Sequence, residues 1–116
     1  MVFSRQYSVI EGHTRPDEEP FVVVAGEVVA VGHADADWPG WRWCTNRKGK
    51  SGWVAERLLS RLGNAVMVTE NYNAGELTVH PDEIVEGLRI LEGWIWCRND
   101  VGQEGWVPAK KLQPLA

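Results

Sequence analysis

The chain has 116 residues, 44% hydrophobic and 24% charged, and a formal net charge of −4. That length allows one domain or two very small ones, and the composition is that of a soluble globular protein. Residues 1–63 carry eight Lys/Arg against eight Asp/Glu, whereas residues 64–116 carry four against eight. This balance argues against nucleic acid as a partner, because aromatic β modules that bind single strands add a basic groove. Only Arg47-Lys48-Gly49-Lys50 is locally basic, and it reads as a solvated turn. The compositional outlier is tryptophan, with seven. Each buries about 150–250 Å², more than two tiny cores can hold, so some are expected at an interface or on a binding surface.

In chain order, residues 6–10 read as a first strand. Residues 11–20 are polar and contain Pro16 and Pro20, which forbid regular pairing, so they read as a loop. Two β-branched runs, 21–24 and 28–31, flank Ala25-Gly26-Glu27 as a strand–turn–strand signal. After a second loop at 32–40, residues 41–46 and 50–54 form a hairpin about Arg47-Lys48-Gly49. Residues 55–59 suit one 3₁₀ turn leading into a last short strand. The second half repeats this order: a strand at 66–68, a loop at 69–75, strands at 77–79 and 84–85 about Pro81-Asp82-Glu83, then 88–91, a hairpin beginning at Trp94, and 108–112. No segment has helical periodicity. The longest apolar run, 21–31, is interrupted by Gly26 and Glu27 and is too short for a membrane span. The N-terminus lacks an apolar core of signal-peptide length, so a cytoplasmic location is expected.

The order is a duplication. Trp41/Trp94, Trp43/Trp96, Cys44/Cys97, Asn46/Asn99, Gly49/Gly102, Gly52/Gly105, Trp53/Trp106 and Val54/Val107 all stand at one offset of 53. Five short strands per half predict an all-β protein of two tandem small barrels, residues 1–62 and 65–116, joined at 61–64. Each half alone is of marginal size, so the two are expected to pack together.

The second half resembles a Src-homology-3 (SH3) domain of the divergent kind found in bacterial proteins. Val68-Thr69-Glu70-Asn71-Tyr72 stands where that family has Ala-Leu-Tyr-Asp-Tyr, and Glu76-Leu77-Thr78-Val79 resembles its Asp/Glu-Leu-Ser-Phe segment. Trp94 matches the first tryptophan of its Trp-Trp pair, and Gly105-Trp106-Val107-Pro108-Ala109 resembles Gly-Tyr-Ile-Pro-Ser. The resemblance spans residues 65–113 and implies a groove for an extended peptide, proline-containing segments included. Tyr72, Trp94, Trp106 and Pro108 would line it, with Glu70 and Glu76 as its acidic rim. Two departures are plain: Glu70 replaces the family's first tyrosine and Lys111 its last. In the first half Ala55 and Leu58 replace the proline and tyrosine.

Other candidate sites carry less. Cys44 and Cys97, one per repeat, read as small buried hydrophobes, not as a disulfide pair. His13, His33 and His80 fall in three different loops without metal-ligand spacing, and no nucleophile–base constellation is visible. The expectation is therefore a non-catalytic module with no metal or cofactor. It would recognise a protein or peptide through the aromatic groove, as a monomer or weak homo-oligomer, with no nucleic acid or membrane as partner. An alternative is an assembly protein whose tryptophans are consumed in interfaces. A third reading, a cell-wall-binding module, requires export.

Overall fold

The structure is a computed structural model that describes residues 4–115. Its strands are β1 (Arg5–Val9), β2 (Val22–Val23), β3 (Val28–Ala34), β4 (Trp41–Thr45), β5 (Ser51–Ala55), β6 (Leu59–Leu62), β7 (Ala65–Val68), β8 (Tyr72–Asn73), β9 (Ile84–Leu91), β10 (Trp94–Arg98), β11 (Glu104–Pro108) and β12 (Leu112–Pro114). Single 3₁₀ turns, Glu56–Leu58 and Ala109–Lys111, lead into β6 and β12. No helix among the described residues is long and apolar enough to cross a membrane.

Strand chemistry accounts for the hairpins. In β10 the side chains alternate, with Ile95 and Cys97 buried between partly exposed Trp94 and Trp96. The Asn99 side-chain carbonyl then caps the turn, accepting from the amides of Val101 and Gln103 at 3.2 and 2.9 Å. Gly102 supplies the positive φ, 86°, that the turn requires. Asn46 and Gly49 do the same in the first hairpin, where Asn46 accepts from Lys48 and Lys50 at 3.0 Å.

The strands form two five-stranded antiparallel sheets, β11-β10-β9-β1-β12 and β5-β4-β3-β7-β6, plus the pair β2-β8. The chain divides into two compact units. One, the terminal unit, combines the chain up to Glu18 with the chain from Gly75; the other, the central unit, is Glu19–Ala74. These units do not coincide with the expected halves, 1–62 and 65–116. β1 leaves its own half to lie between β9 and β12, with Tyr7 opposite Val85 and Val9 opposite Leu112. β7 lies between β3 and β6, with Val66 opposite Val29 and Val68 opposite Leu59. The expected join at 61–64 is thus a turn inside one unit, since Leu62 pairs with Ala65. Runs 21–24 and 28–31 enclose the expected turn but pair elsewhere, β2 with β8 and β3 with β4 and β7. Residues 84–91, read as two segments, are one strand.

Apart from this exchange the units share several backbone bonds. The Val9 amide donates to Glu83 O and that of Val68 to Glu27 O, both at 2.9 Å. The amides of Ile10 and Thr69 donate to Lys111 O and Leu58 O, both at 2.8 Å. Glu27 and Glu83 each receive the amide three residues earlier, from Val24 and His80. The terminal unit's core is Tyr7, Val9, Leu77, Val79, Val85, Ile95, Cys97, Val107 and Leu112. Cys97 therefore packs as a hydrophobe, and Cys44 is likewise buried and unbridged. Burial pushes the Cys44 thiol up to about 11 and that of Cys97 to about 12.

Candidate functional site

Antiparallel pairing sets Trp94 directly across from Pro108 at the mouth of the β10–β11 hairpin. Trp94 is partly exposed and Pro108 buried. The segment after β1 pairs with the segment before β9, His13 bridging to Val79 through bonds of 3.0 and 2.8 Å. That pairing brings the His13 ring edge-on to Trp94, with centroids 5.7 Å apart and planes at 77°. His13 Nδ1 faces Lys111 Nζ at 3.3 Å. An ammonium has no lone pair, so Nδ1 accepts; Nε2 then carries the hydrogen and donates it to Glu76 Oε1 at 2.7 Å. Lys111 also donates to Gly12 O at 3.2 Å and lies 3.6 Å from the Glu11 carboxylate.

The site is thus an indole flanked by an oriented imidazole, one ammonium and two carboxylates. Glu76 is carried on backbone that cannot shift easily. The Leu77 amide donates to Trp106 O at 3.0 Å, and the Trp106 amide to Gly75 O at 2.9 Å. Gly105 is required beside this crossing, because a Cβ there would come within 2.6 Å of the Glu76 carbonyl carbon. The chemistry on offer is apolar contact over the indole with charge complementarity beside it. Among the described residues no group of three His, Cys, Asp or Glu side chains gathers to hold a metal.

Of the six residues expected to form the groove, the structure brings together Trp94, Pro108 and Glu76. Trp106 belongs to the same unit, but it is only 4% exposed and packs edge-on against Trp96 at 5.3 Å. Tyr72 and Glu70 lie in the central unit. Tyr72 is buried there beside Trp41, with ring centroids 6.5 Å apart. The reason is the strand exchange: the arm carrying Tyr72 follows β7 into the central sheet, and the arm of β1 supplies His13 in its stead. Sequence reasoning missed His13, Glu11 and Lys111 as site residues. A signal existed, for Val9-Ile10-Glu11-Gly12-His13 matches Val68-Thr69-Glu70-Asn71-Tyr72 at an offset of 59. The longer loops of the first half hide it from the offset of 53.

The corresponding place in the central unit is different in kind. Ala55 and Leu58, both buried, stand where the terminal unit has Pro108 and Lys111, and Pro20 where it has Glu76. Trp41 is itself only 5% exposed.

An all-β unit with a tryptophan opposite a proline at the hairpin mouth is similar to an SH3-like domain, a class that generally mediates protein–protein interactions. Residues 67–115 match the family model described as Variant SH3 domain. Nothing among curated proteins or among solved structures matches the chain. The matched stretch begins in β7, so its first strand serves the central sheet and the remainder, from Gly75, the terminal unit.

Proposed function

We propose that the protein is a non-catalytic interaction module of two SH3-like units that recognises an extended protein or peptide segment on the terminal unit. Trp94 is the apolar platform, His13 and Pro108 fix it, and Glu76 with Glu11 orients a basic residue of the ligand. The observation that carries this reading is the His13 imidazole, held edge-on to a partly exposed Trp94 by Glu76 on one nitrogen and Lys111 on the other. Such a surface is ordered before any ligand arrives, which lowers the entropic cost of binding. Proline-containing segments suit it because their extended helix is preformed. The reading further takes the protein as cytoplasmic, with no nucleic acid or membrane partner, and as a monomer or weak homo-oligomer.

The assembly reading draws support from Trp41 and Trp106, which are buried. Against it, Trp38, Trp43, Trp53, Trp94 and Trp96 all retain partial exposure. Panning the full chain against a library of proline-rich and bacterial peptides tests the proposal. Enrichment of one motif by the wild type, lost in Trp94→Ala, supports a ligand groove. Equal recovery by both proteins removes it.

A further inference from the structure

The bonds made around Val9 and Val68 are the same in the two sheets, so these bonds do not decide that β1 enters the terminal sheet and β7 the central one. The side chains do differ. The Tyr7 ring lies over Gly87, where an added Cβ would stand 2.5 Å from Tyr7 Cε2 and 3.0 Å from Ile95 Cγ2. In the central sheet Val66 holds the place of Tyr7, opposite Val29 as Tyr7 is opposite Val85. Val31, opposite Cys44, holds the place of Gly87, opposite Cys97. A strand carrying Tyr7 could not lie on Val31 as it lies on Gly87. Val66 over Gly87 would in turn leave the space of a phenol ring unfilled, beside Ile95.

The arms beyond the strands differ as well: both carry a glutamate, Glu11 and Glu70, but one has His13 where the other has Tyr72. In the terminal unit Glu11 and His13 meet Lys111 and Glu76. In the central unit Tyr72 lies beside Trp41, and Leu58 and Pro20 hold the sequence positions of Lys111 and Glu76. Were each half to fold on itself, Glu11 and His13 would face Leu58 and Pro20, and Tyr72 would face Lys111 and Glu76. That arrangement would take the His13 imidazole away from both of its polar partners.

We propose that the exchange of strands between the two units is specified by the chain, with Tyr7 over Gly87 and His13 between Glu76 and Lys111 as the contacts that select it. Residues 4–15 are then a built-in ligand of the terminal unit, and the candidate binding site exists only when this arm is seated.

A double-mutant cycle in the full chain tests the proposal. Gly87→Ala should lower the denaturant midpoint, and in a Tyr7→Val background the same change should cost less than half as much. Rescue of Gly87→Ala by Val66→Ala in place of Tyr7→Val would overturn the proposal, because it would put β7 on Gly87 and each half on itself. Equal costs of Gly87→Ala in both Tyr7 backgrounds would overturn it as well. Should Gly87→Ala fail to fold, the wild-type chain still decides. Nuclear Overhauser contacts from the Tyr7 ring to Gly87 and Ile95 are expected, and contacts from that ring to Val31 would refute the selection.

Discussion

His13 and Glu76 share a hydrogen bond of 2.7 Å although 63 positions separate them in the chain. The bond joins an arm from the first half of the chain to an arm from the second, inside a single unit. Each unit therefore depends on residues from both halves, and its stability cannot be assigned to a contiguous stretch.

Cutting the chain between Gly63 and Asn64 should consequently disable both units. Fragment 64–116 lacks β1, which leaves β9 and β12 without their shared neighbour. Fragment 1–63 lacks β7 and leaves β3 and β6 in the same state. Neither fragment alone should show a cooperative thermal transition by circular dichroism, and mixing the two should restore one. Independent melting of either fragment at the temperature of the intact chain would contradict the exchanged architecture.

Gly105→Ala should destabilise the protein by about 1–3 kcal/mol, as overpacking does, and should weaken binding as well. The added methyl would meet backbone, the Glu76 carbonyl carbon at 2.6 Å and the Leu77 nitrogen at 2.7 Å. Gly102→Ala meets nothing within 4 Å but forces a side chain onto a φ of +86°, costing about 1–2 kcal/mol. It should leave the site intact. Chemical denaturation gives the first comparison and titration with a panned peptide the second.

Much of the fold was legible because its signals are local. The period of two in Trp94-Ile95-Trp96-Cys97, the glycine of each hairpin turn and the offset of 53 mark strands and turns without knowledge of the rest. Which strand pairs with which is a non-local matter. Val66-Met67-Val68 reads equally well as the first strand of either unit, and contacts invisible in the local pattern, Tyr7 over Gly87 and His13 with Glu76, accompany the observed assignment. The misplacement of Tyr72 and Glu70 follows from that one ambiguity. Trp106 was misjudged for another reason: period two places it on the face of Trp96, but alternation does not tell how much of that face is covered.

The buried thiols predict an alkaline weakness. Both pKa values are raised by burial, from 9.0 to about 11 for Cys44 and about 12 for Cys97. Above pH 9 the unfolded chain releases these protons while the folded chain keeps them, so the unfolded state binds fewer and stability falls as pH rises towards 11–12. The contribution is fully present below pH 9. Cys97→Ala should show a lower but flatter stability profile between pH 9 and 11. At neutral pH thiol reagents should label either cysteine only on unfolding, and rapid native labelling would point to a reactive role.

Binding should distinguish residues that sequence alone grouped together. Trp94→Ala removes the platform and should abolish capture of a panned peptide. His13→Ala removes the ring that holds the platform and the partner of both Glu76 and Lys111, and should weaken binding about as strongly while leaving the Trp94 side chain in place. Glu76 is partly exposed, with its side chain 27% accessible, and exposed charge pairs contribute about 0–1 kcal/mol. Glu76→Gln should therefore lower affinity by no more than about fivefold, and by less in high salt. Trp41→Ala makes a poor control because Trp41 is buried beside Tyr72. Glu70→Gln is the better one: it lies in the central unit, and binding on the terminal unit should be unchanged. Fluorescence titration of the four variants against one peptide measures all of these together. A loss for Glu70→Gln equal to that for Glu76→Gln would move the site away from the His13–Trp94 cluster.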